Sequence, residues 1–157
     1  MKQLTQIRIV LVLFITLLIL SGVTAFPVKS EIAYLMNHLN WFPVYLQEWI
    51  IKVNTSIQQT PDIMLYGTDW LAFAHIIISI FFIPVYINPT KYKVNLIIGM
   101  AACILVFPLA FVCGPVREIP FFHQLIDCCF GVFGFLFLWI VYRKINVLSN
   151  NQLTKKL

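Results

Sequence analysis

Six polar residues are the ones with which this chain could do chemistry: Asp69, His75, Arg117, Glu118, His123 and Asp127. All stand in or beside long apolar stretches, where ionisable groups are costly and mark functional candidates. His123 and Asp127 are four residues apart, which places both on one face of a helix. Asp69 and His75 are six apart, about 9 Å along a helix axis. Two imidazoles and two carboxylates could hold a metal: His75, His123 and Asp127 as three ligands with an open position suited to catalytic zinc, and Asp69 either as a fourth ligand or behind them. These residues come from separate segments and match no compact ligand motif, so neither a metal nor another cofactor is expected. A proton or small-ligand pathway through them is a second chemical reading. The plainer expectation is structural. Asp69 then faces the positive end of its own helix, Asp127 pairs with Arg117, and His75 bonds to a neighbouring helix.

The cysteines Cys103, Cys113, Cys128 and Cys129 raise thiol redox chemistry. Four spans with outer cysteines resemble, in topology alone, the disulfide-generating quinone reductases and the vitamin K epoxide reductase family. Those families rely on a Cys-x-x-Cys pair. Here Cys128 and Cys129 are adjacent, a geometry that seldom closes a disulfide, and Cys103 reads as a small core residue. Haem would need His75 and His123 as an axial pair, at depths about 9 Å apart on antiparallel helices. Asn54-Thr55-Ser56 fits a glycosylation acceptor, which has meaning only in a eukaryotic host.

The elements that must position these residues follow from composition. Of 157 residues, 61% are apolar and only 11% charged, against about a quarter charged in an ordinary soluble domain. Four runs with almost no charge are long enough for a hydrocarbon core of about 30 Å: residues 9–26, 70–87, 94–113 and 125–142. Each reaches about 27 to 30 Å as a helix. Inside lipid every backbone polar group must be satisfied within its own segment, so these runs are helices. They are apolar on all sides, which excludes a barrel. The first run also resembles a secretory signal, with Val23-Thr24-Ala25 as a passable cleavage site. Its length, and its continuation into Phe26-Pro27, favour a retained anchor. The expectation is one membrane domain over residues 1–157.

Lys and Arg near span ends prefer the cytoplasmic side. Alternating the spans puts eight basic residues inside (Lys2, Arg8, Lys91, Lys93, Arg143, Lys144, Lys155 and Lys156) and three outside (Lys29, Lys52 and Arg117). The acids Glu31, Glu48, Asp62, Asp69, Glu118 and Asp127 all fall outside. The net charge of +5 is therefore a polarised charge, explained by topology and attraction to anionic lipid. It is not a nucleic-acid footprint. Both termini are expected in the cytoplasm.

The only long outer segment covers residues 27–68, with an amphipathic stretch over 30–58. Ser30 is expected to cap a helix from Glu31. Asn40-Trp41-Phe42-Pro43 interrupts it, and Pro43 suits the first position of a second helix. There Tyr45, Leu46, Trp49, Ile50, Val53 and Ile57 recur at helical spacing opposite Gln47, Glu48 and Lys52, as in a helix lying at a membrane surface. Thr68 is expected to cap the second span, and Pro108 to kink the third. Gly131 and Gly134 allow close approach to a neighbouring helix. The polar tail over 146–157 is expected to fray.

The segments Tyr66 to His75 (YGTDWLAFAH) and Gly114 to Phe122 (GPVREIPFF) resemble parts of small uncharacterised bacterial four-helix inner-membrane proteins. The resemblance implies a bacterial inner membrane with the second segment facing the periplasm, and no activity. The fold expected is all-α, a four-helix transmembrane bundle with an outer amphipathic interfacial helix. The function expected is that of a non-enzymatic subunit or ligand-binding component with its polar cluster at the outer face, in contact with lipid and with a protein partner or a second copy. The rival is an enzyme or a small-solute or proton transporter using Asp69, His75, His123 and Asp127.

Overall fold

The computed structural model describes residues 2–154, with side chains over 3–149; Lys155 and Lys156, counted above as inner charges, lie outside that range. Among the described residues the chain is all-helical. The elements are α1 (Lys2–Ala25), α2 (Val28–Asn37), a 3-10 turn (Leu39–Trp41), α3 (Val44–Gln59), α4 (Asp62–Ile80), α5 (Ile83–Ile87), α6 (Lys93–Val116) and α7 (Phe121–Thr154). Four helical stretches are long and apolar enough to cross a membrane: Gln3–Ala25, Asp62–Ile87, Lys93–Val116 and Phe121–Ser149. Three of them contain an apolar run whole, and the first contains its run except for Phe26.

The helix ends depart from expectation where capping decides them. α4 starts six residues before Thr68, because the Pro61 carbonyl accepts from the amides of Met64 and Leu65 and Asp62 sits in the first turn. Thr68 is left in the helix interior, where its hydroxyl donates back to the Leu65 carbonyl. Likewise α2 starts at Val28 after Pro27, with no side-chain cap, so Ser30 lies inside it. Pro43 precedes α3 as its extended N-cap rather than its first residue. α6 runs unbroken through Pro108 to Val116. The segment from Asn146 to Thr154, expected to fray, continues α7.

The chain gathers into two compact units, one formed by the residues up to Leu17 with those from Ser79 onward, the other by Leu18–Ile78. In the first, α6 and α7 pair along their length through small residues. A methyl group on Gly131 would lie 2.7 Å from the Cys103 carbonyl oxygen, and one on Gly99 would lie 2.7 Å from both Leu138 and Phe82. Such gaps in side-chain volume are what lets two helices approach closely in lipid. The core here is made by Ile7, Leu11, Val85, Leu96, Leu138, Val141 and Ile145, all essentially inaccessible.

A break divides α4 from α5 in this unit. Pro84 has no N–H to give the Ile80 carbonyl, and its ring crowds that oxygen. The helix therefore turns at Phe81 and Phe82 before resuming. Asn95 of α6 donates its side-chain amide to the Phe81 carbonyl at 2.6 Å, as a neighbouring helix commonly does for backbone groups freed by proline in a membrane helix.

In the second unit α2 and α3 form a helical hairpin across the Leu39–Trp41 turn. The Gln47 side-chain amide donates to the Phe42 carbonyl at 2.7 Å and fixes the turn. Ile32 and Ile50 are buried, whereas Trp41, Val44 and Tyr45 at the tip are exposed. At the end of α1, a methyl group on Gly22 would lie 2.6 Å from the Ala72 carbonyl oxygen and 3.0 Å from His75 Cβ.

Candidate functional site

The six candidate residues divide between the two units. Asp69 and His75 belong to Leu18–Ile78, and Arg117, Glu118, His123 and Asp127 to the other.

Asp69 and His75 both stand on α4, but six residues turn their side chains about 120° apart around the axis. Asp69 is half-buried and borders an open recess of about 200 Å³ walled by Phe26, Tyr66, Trp70 and Phe73. It lies two turns into α4, so the helix dipole, which acts within the first turn, does not account for it. His75 places Nδ1 2.8 Å from the Leu71 carbonyl oxygen one turn back. It is satisfied by its own helix and not by a neighbour. A carbonyl only accepts, so Nδ1 carries the proton in this bond.

The other four residues surround the α6–α7 connection. α6 ends by wrapping its last carbonyls: the Ile119 amide donates to Gly114 at 2.9 Å and the Glu118 amide to Pro115 at 3.1 Å. This is the Schellman pattern, which needs a left-handed residue just past the helix. Glu118 fills that position with φ 55°, where glycine would be unstrained. The Pro120 carbonyl accepts from His123 and Gln124 to begin α7. Gln124 is buried and donates to the Ile119 carbonyl at 2.8 Å. It packs so tightly that a methyl group on Gly114 would sit 2.6 Å from its Cδ. Arg117 and Glu118 are exposed.

The i, i+4 spacing brings His123 and Asp127 together as expected, with Nε2 3.9 Å from Oδ1. That separation is too long for a hydrogen bond and makes an ion pair only with a protonated imidazole. Both side chains are more than 40% exposed, and Asp127 thus faces His123, not Arg117. Among the described residues, no three His, Cys, Asp or Glu side chains gather closely enough to hold a metal ion. The four cysteines are free thiols, Cys128 buried and Cys129 exposed, so the adjacent pair is split between two sides of α7.

Two groupings escaped the reading of the sequence. His38 lies between the rings of Tyr34 and Trp41, at centroid distances of 4.3 and 4.2 Å, with Nδ1 at the Tyr34 carbonyl. The spacing of four and three residues was a visible signal for that stack. The second is a set of cations resting on aromatic rings at the Lys93 end of α6: Arg8 over Tyr86, Lys93 over Tyr142 and Arg143 over Trp139. Only Arg143 and Trp139, four residues apart on α7, show their contact by spacing; the other pairs join residues of α1, α5, α6 and α7.

Neither a family of known proteins, nor a curated protein, nor a solved structure matches this chain.

Proposed function

We propose that this chain is a multi-pass protein of a bacterial inner membrane, with both termini cytoplasmic, its long helices forming a bundle and α3 lying at the outer interface. Its role is that of a non-enzymatic subunit, which packs against a membrane-embedded partner or a second copy. The polar groups at the outer face are then available to a ligand. The observation that carries the non-enzymatic reading is that the candidate groups do not converge on one site. His75 is held by its own helix, His123 faces Asp127 on the same helix, and the recess beside Asp69 is walled by aromatic rings. The orientation is supported by the acids, none of which falls at the ends assigned to the cytoplasm, and by the basic residues clustered there.

Two experiments test this. Reporter fusions should place residue 90 and the carboxyl terminus in the cytoplasm and residue 60 in the periplasm; the reverse assignment sinks the topology. Mild-detergent purification of the full chain should yield an assembly with a stoichiometric second component or second copy, larger than the 18.2 kDa chain. The rival transporter reading has the His123–Asp127 pair in its favour. A lone chain whose proton or solute flux in vesicles is lost on Asp127→Asn, at unchanged helicity, would replace the subunit reading with it.

A further inference from the structure

Five cations of the first unit, Arg8, Lys91, Lys93, Arg143 and Lys144, stand toward one end of its helices, and each makes its contacts with neutral groups. Arg8 of α1 donates toward the Tyr86 carbonyl at 3.4 Å and lies over the ring of the same tyrosine. Lys144 of α7 reaches back to the Gln6 side-chain oxygen at 2.7 Å. Lys93 of α6 bonds the Asn146 side chain and lies 4.3 Å from the centre of the Tyr142 ring. Arg143 and Lys91 rest over Trp139 and Tyr92. These links tie α1, α5, α6 and α7 together at this end.

Among the described residues, none of the five meets a carboxylate at ion-pair distance. The acids of this unit, Glu118 and Asp127, lie at and just beyond the α6–α7 connection. The 24 residues of α6 separate that connection from Lys93 by about 35 Å. At several Debye lengths the acids offer no compensation. Among the described residues, these five like charges toward one end of the helices have no carboxylate paired with them. The platform beneath them is the best-packed part of the molecule, with Ile7, Leu96, Val141 and Ile145 at most 1% exposed. The cations are therefore positioned in advance rather than gathered by a ligand. Arg8, Lys93 and Lys144 are only partly exposed, as long cationic side chains lying along apolar surface are. Such a rim at the end of membrane-length helices has the chemistry of a phosphate-headgroup site.

We propose that this end of the first unit binds the headgroup phosphates of anionic phospholipids, with Arg8, Lys93 and Lys144 as its centre and Lys91 and Arg143 at its edge. The proposal rests on the membrane reading above, since it places the site at the lipid–water boundary.

The test uses the full chain in vesicles of neutral phosphatidylcholine, with phosphatidylglycerol added in steps. Each charge within reach of the surface changes the affinity by about fivefold, so Lys93→Gln with Lys144→Gln should weaken phosphatidylglycerol binding by about 25-fold. The outer pair Lys29→Gln with Lys52→Gln should leave it unchanged. In neutral vesicles the inner double variant should unfold no sooner than the parent, because repulsion among the cations is relieved. Five outcomes decide. A preference for phosphatidylglycerol that the inner variant alone loses supports the site. Equal destabilisation of the inner variant in neutral and anionic vesicles makes the cations plain structural ties and overturns it. Displacement of phosphatidylglycerol by millimolar inorganic phosphate assigns the site to a soluble anion and overturns it as well. Release of the chain from neutral vesicles by alkaline carbonate would defeat the membrane reading itself, whereas retention there without phosphatidylglycerol preference defeats only this inference.

Discussion

The two units treat their apolar residues in opposite ways. Every fully buried side chain of any size, from Ile7 and Leu11 to Val141 and Ile145, belongs to the unit built around α6 and α7. Within Leu18–Ile78 only Gly22, Ile32, Ile50 and Ala72 are buried, while Trp41, Trp70, Tyr34 and Tyr45 are more than half exposed. One unit satisfies itself by internal packing. The other presents aromatic rings to whatever surrounds it, the composition favoured where apolar body and polar tip meet different media. Chemistry that needs groups held in fixed geometry has a scaffold in the first. Recognition through adaptable surface is the strength of the second.

Substitutions of glycine test that contrast most sharply. Gly131→Ala would press a methyl group on the Cys103 carbonyl in the packed unit, and we expect a loss of about 2 kcal/mol, read as detergent-driven unfolding followed by circular dichroism. Gly22→Ala meets the Ala72 carbonyl at 2.6 Å, but in a unit that buries only four residues less packing is lost when the helices part, so we expect its cost to be the smaller of the two. Equal costs would erase the distinction between the units. Next comes Asn95→Leu, which strips the Phe81 carbonyl of its partner at the proline break. A loss of about 1 kcal/mol is expected, with slower-than-parent exchange of the Phe82 and Ile83 amides counting against it. Glu118→Gly removes a side chain from the left-handed region and should stabilise by about 1 kcal/mol; a loss instead would show that the Glu118 side chain has work at that turn. The smallest effect belongs to Gly67→Ala. Nothing lies within 4 Å of the added methyl, and helix propensity alone should raise stability by about 0.5–1 kcal/mol.

Four helices long and apolar enough to cross a membrane were legible because long runs with almost no charge admit no other backbone solution in lipid. The His123–Asp127 pair was legible for a similarly local reason, as a spacing of four fixes proximity. Helix ends were not. Thr68 and Ser30 carry good capping side chains, but Pro61 and Pro27 stand earlier in the chain and start their helices first. The break before α5 was not read, although Pro84 inside an apolar run is a signal for it. The fate of Asp69 depended on where α4 begins, so an error of six residues at a cap became an error about the carboxylate's electrostatics. The cations of the rim were gathered on one side by counting charges, but the partners Tyr86, Tyr142, Gln6 and Asn146 are brought to them only by packing.

The length of α7 has a practical consequence. Its 34 residues make a rod of about 51 Å, whereas a hydrocarbon layer occupies only about 30 Å of it. Counted from Phe121, the dozen residues after Tyr142 extend about 18 Å farther. Seated in a bilayer, α7 is thus a mast that carries its far tip clear of the headgroups. A fluorophore or affinity handle attached there would stand off the surface without an added linker.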